Sequence, residues 1–184
     1  MMSVFEFTDR IPGSFTKINV EAYYACALEI CRVEPIPVFA EIGVDQGRSA
    51  SVIAQAIRET QRTEDARLIL VDSWESVLID NKERVRQRLE PFRVHTAILH
   101  MKSALAAEEV EDRSIHMLLI DADHSGDHPG EDCRLWLPKV KPGGIVCCHD
   151  YASGFEAVDL AVARWTAGWE DLGNHDGLAI RGKP

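Results

Sequence analysis

The segment Val38-Phe-Ala-Glu-Ile-Gly-Val-Asp-Gln-Gly-Arg-Ser49 limits what this chain can fold into more than any other. An apolar run ends in the acid Glu41, and a short turn carries Gly43 and Gly47. Val52, Ile53, Ala56 and Ile57 then recur at helical spacing. That order reads as a buried strand, a tight glycine turn and a helix N-terminus, where an α/β protein holds a ligand against free backbone N–H groups. The glycines have Gly-x-x-x-Gly spacing, so the Gly-x-Gly-x-x-Gly dinucleotide fingerprint is absent, as is the lysine of a phosphate-binding loop. Glu41 would repel a pyrophosphate, whereas a carboxylate suits an amino group or a ribose hydroxyl. The turn therefore favours a ligand with a cationic end.

The same strand-then-helix unit repeats. Strands are expected at Val38–Ile42, Leu68–Val71, Thr96–Leu99, Met117–Ile120 and Ile145–Cys148. Helices are expected at Ile18–Val33, from Arg48 to about Arg62, and at Lys82–Leu89, Ala104–Glu109 and Asp132–Leu137. Pro142-Gly143-Gly144 reads as a turn into the fifth strand. Ser153-Gly-Phe-Glu156 has capping-box spacing ahead of a last helix carrying Phe155, Val158, Val162 and Trp165. The tail reads as a hairpin, with strands near Trp169–Leu172 and Leu178–Ile180 around a turn at Asn174–Gly177. Alternation of this kind implies a mainly parallel sheet covered on both faces, with ligands outside the carboxyl ends of the strands. Those ends carry Glu41 and Gly43, Asp72, Met101–Ser103, Asp121–His124 and His149–Asp150, which should share one rim.

With 184 residues and no repeat or linker, one domain over 1–184 is expected, residues 1–35 forming a helical cap on a core at 36–184. A formal net charge of −10 argues against a nucleic-acid or anionic membrane partner and leaves a small molecule. No apolar run reaches the ~18–20 residues of a membrane span. Acids at Glu6 and Asp9 replace the basic and apolar regions of a signal peptide, so a cytoplasmic location is expected. The five cysteines include no Cys-x-x-Cys pair and read as small buried thiols. Whether the chain forms a homo-oligomer stays open.

On the cofactor side of the rim, Glu41 and Gly43 begin the turn, Gly47 lets the helix start pack closely, and Ser49 offers a hydroxyl to a carboxylate. Asp72 can accept both hydroxyls of a ribose or cap the next helix. Ser73 follows it on the rim. Trp74 either stacks on an adenine or belongs to the core, and Ser103 either contacts adenine or caps a helix. On the chemical side, Asp121, His124, His149 and Asp150 converge from two strand ends. Asp123, Asp127 and His128 lie nearby in sequence. Acids and histidines so placed suit a divalent cation, and a histidine poised near neutral pH suits a general base. The bland alternative is that Asp121 caps or braces its loop, His124 is a satisfied loop histidine and His149 is a packing residue at its strand end.

Four ordered motifs carry a resemblance. Ile11-Pro12-Gly13, Glu41-Ile42-Gly43, Asp121-Ala122-Asp123-His124-Ser125, and Lys141-Pro142-Gly143-Gly144 followed by His149-Asp150-Tyr151 resemble a small bacterial family of class I S-adenosylmethionine-dependent methyltransferases. The resemblance implies a Rossmann-like three-layer α/β sandwich, its seven-stranded, mostly parallel sheet ending in an antiparallel hairpin. It implies S-adenosyl-L-methionine contacts at Glu41, Gly43, Asp72 and Ser103, beside which Gly47, Ser49, Ser73, Trp74 and Asp121 join the expected set. The chemical side is similar to the metal-dependent O-methyltransferases, which implies a divalent cation (magnesium, manganese or another) on Asp121, His149 and Asp150. It also makes Asp121 and His124 catalytic, with His124 as base. Two departures stand out. His149 replaces an acid and favours manganese, iron or zinc over magnesium, or no metal at all, and Ala122 replaces a glycine. The implied activity is methyl transfer to a small-molecule acceptor, most naturally a hydroxyl, with the loops Ser73–Asp80 and Ser125–Glu131 and the N-terminal helix as a lid. The rivals are a metal-dependent hydrolase built on Asp121, His124, His149 and Asp150, and a non-catalytic module that binds the cofactor.

Overall fold

The computed structural model describes residues 4–75 and 81–184, so residues 76–80 of the expected lid loop lie outside the described residues. In chain order the helices are α1 Val4–Thr8, α2 Lys17–Val33, α3 Arg48–Glu59, α4 Lys82–Leu89, α5 Ser103–Ala106, α6 His128–Trp136 and α7 Glu156–Trp165. The strands are β1 Val38–Ile42, β2 Arg67–Asp72, β3 His95–His100, β4 Ile115–Ile120, β5 Val140–Cys148, β6 Glu170–His175 and β7 Leu178–Gly182. They form one seven-stranded sheet in the order β3-β2-β1-β4-β5-β7-β6. Strands β1 to β5 run parallel, and β7 pairs antiparallel with both β5 and β6. The expected architecture is the observed one. Strand order reverses between β1 and β4, and the crevice at that switch point is where such sheets take ligands.

The period-two alternation of strands divides the core. Met117, Leu119 and Cys147 join Val20, Tyr23, Ile53 and Ile57 of α2 and α3 on one face. Leu118, Ile120 and Cys148 join Cys133 and Trp136 of α6 and Val158 and Val162 of α7 on the other. The adjacent Cys147 and Cys148 thus face opposite layers. Helix α2 is a full member of its layer, with Tyr23 and Ala27 buried. The segment before it lines the rim cleft at Pro12–Phe15, and the helix's first turn presents Asn19 to His149. Among the described residues no helix is long and apolar enough to cross a membrane.

Three local expectations are corrected. Pro142-Gly143-Gly144 lies inside β5, because the glycine backbone pairs with Lys183 of the tail (Gly143 N to Lys183 O and Lys183 N to Gly144 O, both 2.9 Å). Ser153 is not a cap, since α7 starts at Glu156 behind Phe155 with no side-chain cap bond, and the Ser153 hydroxyl turns back to the Tyr151 carbonyl. Helix α6 begins at His128, ahead of the expected Asp132, because Pro129 suits a first helical turn whose N–H groups have no partner anyway.

Candidate active site

Strand β1 delivers Glu41 to the floor of the rim, fully buried. Gly43 follows with φ +86°, and a Cβ there would stand 1.9 Å from the Asp121 carbonyl oxygen. The turn leaving β1 can cross the end of β4 only because this residue has no side chain. Gly47, at φ +80°, ends the turn, and a Cβ on it would meet Val85 of α4 at 3.2 Å, which is the close packing expected of it. Ser49 Oγ donates to Glu41 Oε1 at 2.6 Å, so its proton is spent on Glu41. Glu41 Oε2 is buried without a partner. Burial pushes this carboxyl well above the usual range, the Ser49 bond opposes the rise, and Asp121 and Asp72 add to it. An orphaned acid of this kind fits a ligand ammonium.

Asp72 organises the turn. Its Oδ2 accepts from the Val44 and Asp45 N–H groups at 2.8 and 2.9 Å, and its Oδ1 accepts from the Trp74 N–H at 2.7 Å. A carboxylate has about four lone-pair positions, so roughly one remains for a ribose hydroxyl in this arrangement. The Trp74 ring is buried, donates Nε1–H to the Asp45 carbonyl at 2.8 Å and sits edge-on to His100. The ring is a member of the hydrophobic core. The Ser73 carbonyl faces His100 Nε2 at 3.0 Å. Ser103 is the first residue of α5, not its cap. Its hydroxyl donates to Asp132 and accepts from Trp136 Nε1 at 2.8 Å. Burial raises the Asp132 carboxyl to about 6.

Gly43–Gln46, Arg48, Ser49 and Asp121 face the segment Pro12–Phe15 across a solvent-open cleft of about 450 Å3. Asp121 also belongs to a second group. His124 Nε2 lies 3.0 Å from Asp150 Oδ2 and 3.8 Å from Asp121 Oδ1. His149 Nδ1 lies 3.1 Å from Asp150 Oδ2 and 3.3 Å from Asp121 Oδ1. These are ion-pair distances without hydrogen-bond alignment, which leaves both ring nitrogens buried and unpartnered. Asp150 holds its place at φ +59°, a strained conformation for a residue with a side chain.

Asp121, His124 and Asp150 offer ligand atoms within 4.8 Å of one another. Of the expected set of Asp121, His149 and Asp150, the two acids belong to this group and His124 takes the third place in it, while His149 Nδ1 lies 3.3 and 3.1 Å from the same two acids. The Asp121 carboxylate, with Asp150, raises the His124 pKa against the effect of burial. Burial would lower His149, but the same two acids outweigh it and raise it. Burial would raise Asp121, but both imidazoles hold it below its ordinary value. Phe155 lies over His124 at 4.7 Å between ring centroids, and Phe15 stacks on His149 at 4.9 Å. His124 also lines a small open pocket with Asp132, Cys133, Cys148, Val158 and Val162. Asp123 is exposed and tied to Ser125, and neither it nor His128 joins the cluster.

Sequence reasoning did not assign Phe15, Asn19 or Arg48. Asn19 closes a capping box with Thr16, gives its amide hydrogens to the His175 and Asp176 carbonyls, and presents Oδ1 to His149 Nε2 at 3.3 Å. Phe15 follows the Pro12-Gly13 motif, Asn19 stands in the first turn of α2 and Arg48 follows Gly47, but nothing local in the sequence marks the three side chains.

A family model described as a methyltransferase domain matches residues 40–151. No curated protein matches the sequence. The fold is similar to the O-methyltransferase NovP (18% identity, TM-score 0.68, 90% of this chain and 79% of that one). It is also similar to an SAH-bound methyltransferase of Podospora anserina, PaMTH1 (16%, 0.69, 98% and 86%). A third likeness is to apo CalS11, a TDP-rhamnose 3'-O-methyltransferase of calicheamicin biosynthesis (14%, 0.68, 90% and 77%). At these identities the likeness establishes the fold alone.

Proposed function

The chain belongs to the methyltransferase domain family, and we propose that it moves the methyl group of S-adenosylmethionine to a hydroxyl of a small-molecule acceptor with help from a divalent cation. One observation carries the reading: Asp121 lines the glycine-turn cleft and is also a member of the acid–histidine cluster. Donor and acceptor sites therefore meet at a single side chain. The orphaned Glu41 Oε2 fits the cofactor's ammonium, and the acid–histidine donor set fits a borderline metal such as manganese, iron or zinc better than magnesium.

When bound, the cofactor supplies an electrophilic methyl on a sulfonium, and the cation supplies a Lewis acid that eases loss of the acceptor proton. Asp121, His149 and Asp150 would hold the cation, with His124 at its edge. Gly43–Gln46 and Ser49 would shape the cofactor side, and Asp121 borders both that side and the cation. His124 Nε2 would take the acceptor proton as general base. Phe15 and Phe155 cover the two imidazoles and limit water at the cluster. The enzyme's share of the work is alignment and proton removal.

Thermal-shift titration with S-adenosylhomocysteine, with and without manganese or magnesium, tests this. Stabilisation by the nucleoside and a further metal-dependent shift are expected. Failure of the nucleoside to stabilise the protein sinks the reading, while binding without any metal effect on stability or turnover leaves a metal-free transfer. Metal-dependent ester hydrolysis without nucleoside binding would favour a hydrolase instead.

A further inference from the structure

Arg48, the first residue of α3, has no part in the chemistry so far, yet it lines the cleft beside Gly43, Ser49 and the Pro12–Phe15 segment. Its Nη1 donates to the Ile11 carbonyl at 3.1 Å, and its Nη2 lies 3.4 Å from Asp9 Oδ1. Its Nε is buried and has no acceptor. The stem is pressed between α3 and the N-terminal segment, with a Cβ on Gly13 meeting Arg48 Cβ and Cδ at 3.3 Å. A buried guanidinium N–H without an acceptor is costly, and the planar fork of arginine matches a carboxylate.

The opposite demand lies close by. Glu41 is fully buried, reaches the cleft through Ser49, and keeps Oε2 without a donor. An unsatisfied buried anion-type oxygen behind the lining Ser49 and an unsatisfied buried cationic N–H on the lining Arg48 therefore flank one cleft, and neither serves the other. A zwitterion satisfies both, its ammonium toward Glu41 and Asp121 and its carboxylate toward Arg48. The first N–H groups of α3 add to the carboxylate side.

We propose that Arg48 binds the carboxylate at the amino-acid end of the cofactor, while still holding the Ile11 carbonyl. This rests on the S-adenosylmethionine reading above. The same guanidinium then links the bound cofactor to the N-terminal segment that covers it.

The test compares two nucleosides that share adenosine and a thioether, S-adenosylhomocysteine with its amino-acid end and 5'-methylthioadenosine without it. Calorimetric affinities are measured for the native chain, Arg48→Gln and Asp9→Asn. Arg48→Gln should weaken S-adenosylhomocysteine about 10-fold or more, the scale of a lost charged hydrogen bond, and change 5'-methylthioadenosine less than about 2-fold. Asp9→Asn, which breaks the ion pairs of Asp9 with Arg48 and Lys17 but keeps the guanidinium, should leave both affinities within about 2-fold. Equal losses for both nucleosides in Arg48→Gln, or no loss for either, would overturn the assignment. If the native chain binds neither nucleoside, the cofactor reading itself falls.

Discussion

Asn19 decides which nitrogen of His149 faces the acids. Its amide is oriented by bonds to two carbonyls and by the Thr16 N–H on Oδ1, so Oδ1 can only accept, and His149 Nε2 must donate. Nδ1 is left toward Asp121 and Asp150. In the neutral ring that lone pair faces two carboxylates, an arrangement relieved when a cation or a proton sits between them. Replacing Asn19 with Ala should therefore weaken manganese binding about 10- to 100-fold, the usual effect of losing a ligand's outer partner. Electron paramagnetic titration checks this, and unchanged affinity in a folded variant would refute it. Because Asn19 is fully buried, the melting temperature should fall as well.

The pH profile follows from His124. The Asp121 carboxylate, with Asp150, favours the protonated ring, so the neutral base forms only above the ordinary histidine value. The acid limb of kcat/KM should rise through a pH above ~6.5. Asp150→Asn should move that limb to lower pH while lowering the plateau. A limb that stays in place would show that another group titrates.

Gly43→Ala should cost at least about 2 kcal/mol, since it adds left-handed strain to a 1.9 Å clash with backbone. Gly154 supplies the control, because its φ is +94° but nothing lies within 4 Å of an added Cβ. Gly154→Ala should cost only about 1 kcal/mol. Urea unfolding of the two variants compares them directly, and equal costs would mean that strain alone, not the approach of β4, requires Gly43.

Asp132 should make stability depend on pH. Its folded pKa of about 6 exceeds the ordinary 3.8, so the unfolded chain binds fewer protons between those values. The contribution is fully present below about pH 4 and is lost as pH rises through about 6, a loss on the order of 3 kcal/mol. Asp132→Asn should flatten this part of the stability curve and raise the melting temperature at neutral pH, less whatever is lost from the Ser103 bond. Parallel slopes for native and variant chains would exclude the effect.

Much of the fold was legible because its signals are short-range. Apolar runs, a glycine pair and prolines placed β1 and α4 at their observed bounds and found the terminal hairpin. Each such signal acts through φ, ψ and neighbours within a turn or a strand. Pro142-Gly143-Gly144 misled because a strand partner from the tail, Lys183, overrides a local turn preference. The rim clusters were legible for the same topological reason, since parallel strands bring all their carboxyl ends to one side.

The sequence by itself determined the sheet, the glycine turn at Gly43 and Gly47, and the acids and histidines at the ends of β1, β4 and β5. Only the tertiary structure decided how those groups are used. Asp72 bonds the turn, Trp74 packs in the core and Ser103 bonds Asp132 and Trp136, while Phe15 and Asn19 reach the site from the N-terminal segment and α2, and Arg48 from the glycine turn itself, with no local pattern to mark the three side chains. The reason is physical. Periodicity and backbone preference fix where an element lies, whereas the partner of a polar atom is chosen among groups over a hundred residues away, as Asn19 and His149 are, by which of them the packed core brings within hydrogen-bond reach.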